Sequence, residues 1–317
     1  MEIFRGTHEY SRSDMGDFCC SVTLGNFDGC HLGHQNLFEK VVSYKPTFPV
    51  KKGVITFDPT PKEFFSPAQA PKRIFSLSDK IEACKLYGFD FLVILEFDQK
   101  IADLAPKTFL ERLLLKDLNA KNIIVGHDFR FGKNRSGDTE YLQIEAKKRD
   151  INVTVVQAAR DEQGQIISST RIRSTIQRGH VQEAMELLGR PYFIFGRVVH
   201  GRKLGRSIGF RTANLEPDRD LIPQKGVYAC LVSFPKGSSE SIRAVVNVGS
   251  KPTVEKNADV SVEVHLLGGD REDFYESQVK LEFVKRIREE KKFPSLQELK
   301  AQISKDCKTA LEILTQM

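Results

Sequence analysis

Over its first half the chain alternates continuous apolar runs with segments of helical period. Phe18 to Leu24 reads as a buried strand, Leu37, Val41 and Tyr44 recur at helical spacing before Pro46, and Gly53-Val54-Ile55-Thr56-Phe57 reads as the next strand. The alternation continues with helix Leu77 to Tyr87, strand Phe89 to Phe97, helix Pro106 to Leu118, strand Lys121 to Val125, helix Gly137 to Arg149 and strand Ile151 to Val156. Strands that are apolar on both faces, with helices between them, predict a parallel, doubly wound α/β sheet that binds ligands at the carboxyl ends of its strands. The loops after Leu24, Phe57 and Val125 are therefore where chemistry is expected.

Two short helical segments follow, Thr170 to Arg178 and Val181 to Leu188, and Gly189-Arg190-Pro191 then breaks the pattern. A domain boundary there separates residues 1–188 from 189–317. Beyond it, strand-like runs at Tyr192 to Val199, Gly226 to Phe234, Ala244 to Val248, Val260 to Leu267 and Val279 to Phe283 come without helices between them, which predicts a small antiparallel barrel. A closing helix is announced by Pro294-Ser295, with Leu296, Leu299, Ile303, Cys307 and Leu311 as the stripe expected to pack on the barrel.

Composition changes this picture little. A chain of 317 residues with 40% hydrophobic content can bury two cores, and a formal charge of +6 suits nucleotides or other polyanionic small molecules as well as nucleic acid. Six cysteines at 19, 20, 30, 84, 230 and 307 form no CxxC pair, so reduced thiols in a cytosolic protein are expected and no structural zinc is implied. The strongest apolar run, Phe91 to Leu95, is too short to span a bilayer, and the cytoplasm is the default location.

Candidate chemistry concentrates in Gly25-Asn26-Phe27-Asp28-Gly29-Cys30-His31-Leu32-Gly33-His34, a glycine-rich turn between a strand and a helix start. Free N–H groups at that helix start suit an anion, and imidazole donors at His31 and His34 can follow charge building on phosphate oxygens. A metal pair lacks a third ligand at a recognisable spacing, and a plain turn with two histidines is the bland alternative. Cys30 reads either as a reactive thiol at a helix N-terminus or as a small buried filler.

Ser168-Ser169-Thr170-Arg171-Ile172-Arg173 places hydroxyls and guanidinium groups, both suited to phosphate, at a helix start where Ser169 or Thr170 also suits a cap. Gly126-His127-Asp128-Phe129-Arg130-Phe131-Gly132 follows a strand end and fits either a flat-ring site or a polar loop with two core phenylalanines. In the second half, the basic loop Gly201 to Phe210 suits phosphates, Thr212 and Asn214 offer oxygen ligands of the type Mg²⁺ accepts, and alternation along Val260 to Leu266 puts Glu263 and His265 on the polar face of a strand. Glu263 there is either a general base or a solvent-facing carboxylate. Arg286 to Phe293 reads by composition as a solvated helix face.

Taken together, GNFDG-C-HLGH, TFDP at Thr56 to Pro59, GHDFRFG and SSTRIR resemble the N-terminal module of the bacterial bifunctional riboflavin kinase/FAD synthetases, nucleotidyltransferases with an HxGH signature. GRxxGxxxGF, TAN, GVYA, NVGSKPT, EVHL and RIREEKKF resemble the riboflavin kinase barrel of the same family. The resemblance implies ATP-dependent phosphorylation of riboflavin to FMN in the second domain, and adenylylation of FMN to FAD with pyrophosphate release in the first. It implies that His31, His34 and Arg171 serve adenylyl transfer, with Gly25, Asn26, Phe27, Gly33, Ser169 and Thr170 on ATP, and Asp58, Asp128, Phe129 and Arg130 toward the flavin. For the kinase it implies Glu263 as base, Gly201, Lys203, Gly205, Gly209, Thr212 and Asn214 on ATP, Thr212 and Asn214 on Mg²⁺, and Arg286 and Phe293 beside the flavin.

Riboflavin, FMN, FAD and ATP are the implied partners, without nucleic acid or membrane, in a monomer or weak homo-oligomer. The chain departs from the family pattern at Cys30, at Thr60, where His is frequent, and at Arg211, where Pro is common. A nucleotidyltransferase for another small phosphate ester would give the barrel motifs no purpose. A decayed transferase fused to a nucleic-acid-binding barrel would call for exposed aromatics interleaved along the barrel strands, which are lacking.

Overall fold

The computed structural model describes residues 1–199, 210, 212–234, 241–250, 260–268 and 274–316. The chain divides into two compact units, Met1–Ser169 and Thr170–Met317.

In the first unit, β1 (Glu2–Arg5), β2 (Cys19–Leu24), β3 (Val50–Phe57), β4 (Phe91–Leu95), β5 (Ala120–Gly126) and β6 (Asn152–Val156) form one sheet in the order β1-β4-β3-β2-β5-β6. Every pairing is parallel, as the uninterrupted apolar runs predict. β1 escapes the sequence pattern because it is a four-residue edge strand defined by its register against Phe91 to Ile94. The chain winds from β2 outward to β4 on one side and through β5 to β6 on the other. The carboxyl end of β2 is therefore the switch point at which doubly wound sheets form their crevice.

Helix α1 (Leu32–Ser43) buries Leu37, Phe38 and Val41, and α2 (Leu77–Leu86) starts at Ser76, whose hydroxyl and the Asp79 carboxylate cap each other's backbone N–H. The segment read as helix from Pro106 runs as a wider π-helix over Phe109–Asp117 and buries Phe109, Leu110, Leu113 and Leu114 in the sheet core. α3 (Thr139–Lys147) completes the alternation.

The second unit opens with α4 (Ser169–Gln177), whose first residue closes the first unit, and α5 (Val181–Leu188). Its strands are β7 (Tyr192–Val199), β8 (Ala213–Pro217), β9 (Gly226–Ser233), β10 (Ile242–Ser250), β11 (Val260–Leu266) and β12 (Gln278–Arg288), and they close a barrel in the order β10-β11-β8-β7-β12-β9. All six pairings are antiparallel. The break between units falls ahead of Gly189 because α5 packs on β7 and β12. β8 is the strand the sequence pattern misses: Ala-Asn-Leu-Glu-Pro carries too little apolar character alone and is defined by pairing with β7 and β11. Arg286 and Arg288 extend β12 rather than starting a charged helix, because they pair with Tyr228 and Val227.

α6 (Leu296–Thr315) covers Val227, Ala229, Val245 and Val284 on the barrel with Ala310 and Leu314. The expected stripe is corrected at both ends, since Leu296 and Leu311 are exposed while Asp306, Ala310 and Leu314 are buried. Repeated steps of four drift about 40° each around a helix, so a straight face must alternate steps of three and four. Asp306 fits that face by accepting from Arg288 Nη2 at 2.8 Å and from Gln302 Nε2 at 2.8 Å.

Candidate functional site

β2 delivers the chain to the turn at the sheet's switch point. Phe27, Gly29 and Cys30 take left-handed φ values of 46°, 85° and 40°, which reverse the backbone within a few residues. Gly29 is required there twice over, by its φ and because a Cβ would lie 2.9 Å from Ile74 Cγ2. The strain is held in place by neighbours. The Asp28 carboxylate accepts from the Ile74 N–H at 3.0 Å and the Phe75 N–H at 2.9 Å. Ser169 Oγ donates to the Asp28 carbonyl at 2.8 Å, so the hydroxyl read as a phosphate ligand also ties its helix start to the turn.

His31 is the N-cap residue of α1, and its side chain makes no capping bond. Its ring stacks on that of His34 with centroids 3.6 Å apart and planes 19° apart, so the i, i+3 spacing read from the sequence becomes a paired surface. Phe27 is buried edge-on against His34, and Gly33 leaves room for the His31 ring, since a Cβ there would lie 3.1 Å from His31 Cε1. Burial first, then the neighbouring His31 and Lys80 charges, hold His34 well below the usual histidine range. His34 is thus neutral at pH 7 and donates through one nitrogen. Cys30 is 2% exposed with Sγ 3.4 Å from the Phe27 carbonyl, the geometry of a filler.

Beside this turn lies a charged bracket that sequence pattern missed. Arg73 Nη2 donates to Asp58 Oδ1 at 2.8 Å and its Nε donates to Glu63 Oε1 at 2.5 Å, while Thr60 and Glu63 form a capping box over Pro61–Phe65. Thr60 thus has a structural role. Burial pushes the Glu63 carboxyl up, but Arg73 and the Thr60 N–H outweigh it and bring the pKa from 4.5 to about 2. A lowered folded pKa adds stability above the unfolded value and loses it as the pH falls through the folded one. Urea midpoints of the first unit are expected to record a loss of roughly 2 kcal/mol from Glu63 between about pH 4.5 and pH 2, and Glu63→Gln should remove that component.

Phe57, Phe64, Phe65 and Phe97 form an edge-to-face cluster, with Phe57 and Phe97 5.7 Å apart and Phe65 and Phe97 5.6 Å apart. Phe65 is 63% exposed. The other aromatic loop behaves differently: Phe129 stacks on Phe131 at 5.4 Å and packs on the sheet core, and Arg130 pairs with Asp138 at 2.8 Å. Asp128 is exposed.

In the second unit Arg171 Nη2 donates to Glu183 Oε1 of α5 at 3.1 Å, one residue after Thr170 in α4. The barrel brings together residues far apart in sequence: Glu263 on β11 lies directly opposite Asn214 on β8 and Asn247 on β10. Cross-strand partners share a face, so the three side chains form one polar row outside the buried Val262 and Val264. Burial, followed by the Glu290 carboxylate, raises the Glu263 pKa above the usual range. A Cβ at Gly249 would lie 2.8 Å from Glu290 Oε1, and the missing side chain lets that carboxylate approach.

Thr212 immediately precedes β8. Arg286 Nη2 donates to the Lys225 carbonyl at 2.6 Å, and Phe293 lies under the Arg288 guanidinium at 5.6 Å. Gly201, Lys203, Gly205 and Gly209, with Arg211, lie outside the described residues. Among the described residues no cluster of three or more His, Cys, Asp or Glu side chains is placed to hold a metal ion.

The FAD synthetase family model matches residues 16–171 and the riboflavin kinase model matches residues 188–314. The bifunctional riboflavin kinase/FMN adenylyltransferase of Haemophilus influenzae is 38% identical over 312 residues, covering 98% of each chain. That of Escherichia coli K12 is 39% identical over 314 residues, covering 98% of this chain and 97% of its own. A solved structure from Streptococcus pneumoniae described as a macrolide-efflux protein has the same fold, with a TM-score of 0.82, 33% identity and 97% of each chain covered. Among the described residues no helix is long and apolar enough to cross a membrane. Two family models in sequence, and relatives matched from end to end, establish that the chain belongs to the bifunctional riboflavin kinase/FMN adenylyltransferase family, FAD synthetase part first and riboflavin kinase part second.

Proposed function

We propose that residues 189–317 phosphorylate riboflavin with ATP to give FMN and ADP, and that residues 1–188 adenylylate FMN with a second ATP, giving FAD and pyrophosphate. The observation that carries this reading is that each family model falls on a part of the chain with its own polar site, the His31–His34 stack in one and the Asn214–Glu263–Asn247 row in the other.

In the first site an FMN phosphate oxygen attacks the α-phosphorus of ATP and the bond to pyrophosphate breaks. The N–H groups at the start of α1, with His31 and the neutral His34, donate to the oxygens on which charge builds. Ser169, whose hydroxyl reaches the turn at Asp28, holds the leaving pyrophosphate, with Gly25, Asn26, Phe27 and Gly33 lining the nucleotide side. Asp58, held by Arg73, and exposed Asp128 with Arg130 border the flavin, whereas Phe129 packs on Phe131 and the sheet core. Exposed Phe65 adds an apolar face suited to a planar ring. Phe65→Ala is expected to raise the KM for FMN about tenfold in FAD formation with kcat within about twofold, since stacking is shared by ground and transition states.

In the second site Glu263 takes the proton from the ribityl 5′-hydroxyl, whose oxygen attacks the γ-phosphorus as ADP leaves. Asn214 offers a carboxamide oxygen on the face it shares with the Glu263 carboxylate, and Thr212, just before β8, offers a hydroxyl; such hard oxygen donors fit Mg²⁺. A Mg²⁺ bound there would neutralise charge on the ATP phosphates. The basic loop with Gly201, Lys203, Gly205 and Gly209 would cover those phosphates, and Arg286 and Phe293 would border the flavin.

Incubation of the pure chain with riboflavin, ATP and Mg²⁺, followed by chromatographic separation of the flavins, tests the proposal. FMN followed by FAD is expected. Formation of neither would overturn it.

A further inference from the structure

Lys80 stands where an apolar side chain is the ordinary occupant. The reciprocal Ser76–Asp79 cap fixes the start of α2, and the next residue, Lys80, is left 3% exposed beneath the turn of the first site. Its Nζ donates to Thr56 Oγ1 at 3.1 Å, and Thr56 Oγ1 donates to the Asn26 carbonyl at 3.5 Å. Thr56 is itself fully buried on β3, so the ammonium is one hydroxyl removed from the backbone that carries the histidine pair.

The carboxylates that act on Lys80 through space have closer partners elsewhere. Asp28 accepts from the backbone N–H groups of Ile74 and Phe75, and Asp58 accepts from Arg73. Burying an ammonium without a close counter-ion costs several kcal/mol, so fold stability does not explain its presence. An anion approaching the start of α1 would supply the countercharge.

We propose that Lys80 is a positioning residue for adenylyl transfer, fixing the turn at Asn26 through Thr56 and standing as a buried positive charge behind the His31–His34 pair. The proposal rests on the reading of the first unit as the site of FAD formation. The charges bearing on His34 are its stacking partner His31, on the turn side, and Lys80, from α2; the Phe27 ring against it is uncharged. Asp28, Asp58, Arg73 and the Cys30 thiol bear in turn on Lys80. With the ammonium in place His34 resists protonation and keeps its donor geometry as the pH falls. Without it, one of the two opposing charges is gone and His34 takes up a proton at higher pH.

The test uses the full chain and follows FAD formation from FMN and ATP across pH, with riboflavin phosphorylation by the same sample as control. Lys80→Met is expected to lower the FAD-forming kcat/KM at least about tenfold, as misplacement near a reacting centre does. It should also move the acid limb of the profile up by roughly half a pH unit, and leave FMN formation unchanged. Thr56→Val, which keeps the charge and breaks the link, should lower the rate without moving the limb. An unchanged Lys80→Met, or a slower one whose acid limb stays in place, would overturn the proposal. If Lys80→Met does not fold, Lys80→Gln, which keeps a donor to Thr56 and drops the charge, decides by the same two readouts. Absence of FAD formation in the wild type would overturn the underlying reading of the unit itself.

Discussion

FAD formation from FMN and ATP is expected to fall roughly 10²–10³-fold in His34→Ala, the loss typical of removing one donor from a developing oxyanion. Riboflavin phosphorylation by the same sample should be unaffected. His34 lies in the first turn of α1, stacked 3.6 Å from His31, and burial keeps it neutral, so its donor is oriented before substrate arrives. The loss should appear in kcat, because the donor follows charge that forms only in the transition state. Flavin chromatography at saturating FMN measures it. A kcat within threefold of wild type would exclude the role. His34→Gln should recover part of the rate, since a carboxamide N–H remains available at that position.

Glu263→Gln should lower FMN formation roughly 10²–10⁴-fold, the range for loss of a positioned general base, and leave the conversion of added FMN to FAD intact. The carboxylate lies between Asn214 and Asn247 across three strands, and burial and Glu290 raise its pKa. A raised pKa makes a stronger base once ionised. It also means that the wild-type rate falls as the pH drops through a value above the ordinary carboxylate range. Glu290→Gln removes the like charge and should shift that acid limb to lower pH. The pH profile of FMN formation, recorded in the range where the chain stays folded, checks both. An acid limb unmoved by either substitution would deny Glu263 the role of base.

Much of the fold was legible because each segment reports its own burial. Apolar runs such as Val54 to Phe57 and Phe91 to Leu95 became parallel strands, and the 3.6-residue period of Leu37 and Val41 became α1. The parts of the site that a single turn or helix start displays, His31, His34 and Ser169, were legible for the same reason. β1 and β8 were not, because short edge or half-polar segments become strands only through the partner that pairs with them. Phe129, expected to face a flat ligand, packs on Phe131 and the core, while the exposed ring is Phe65, at the end of the short helix Pro61–Phe65, set edge-on against half-buried Phe97 from the segment after β4. Asp306 and Lys80, polar residues in otherwise ordinary helices, gave no local sign of burial.

The glycine-rich turn at the carboxyl end of β2 is held in its conformation from elsewhere: by Ile74 and Phe75 on Asp28, by Ser169 on the Asp28 carbonyl, and by Lys80 through Thr56. By itself the sequence determined the alternation of elements, the barrel that follows, and the order of the FAD synthetase and riboflavin kinase motifs, since these depend on local periodicity and on residue types at fixed spacing. Only the tertiary structure decided which carboxylate meets which amide, which aromatic stays exposed, and which cation is buried. Those outcomes depend on side chains brought together by strand register and helix packing across tens to hundreds of residues, and no local pattern carries that information.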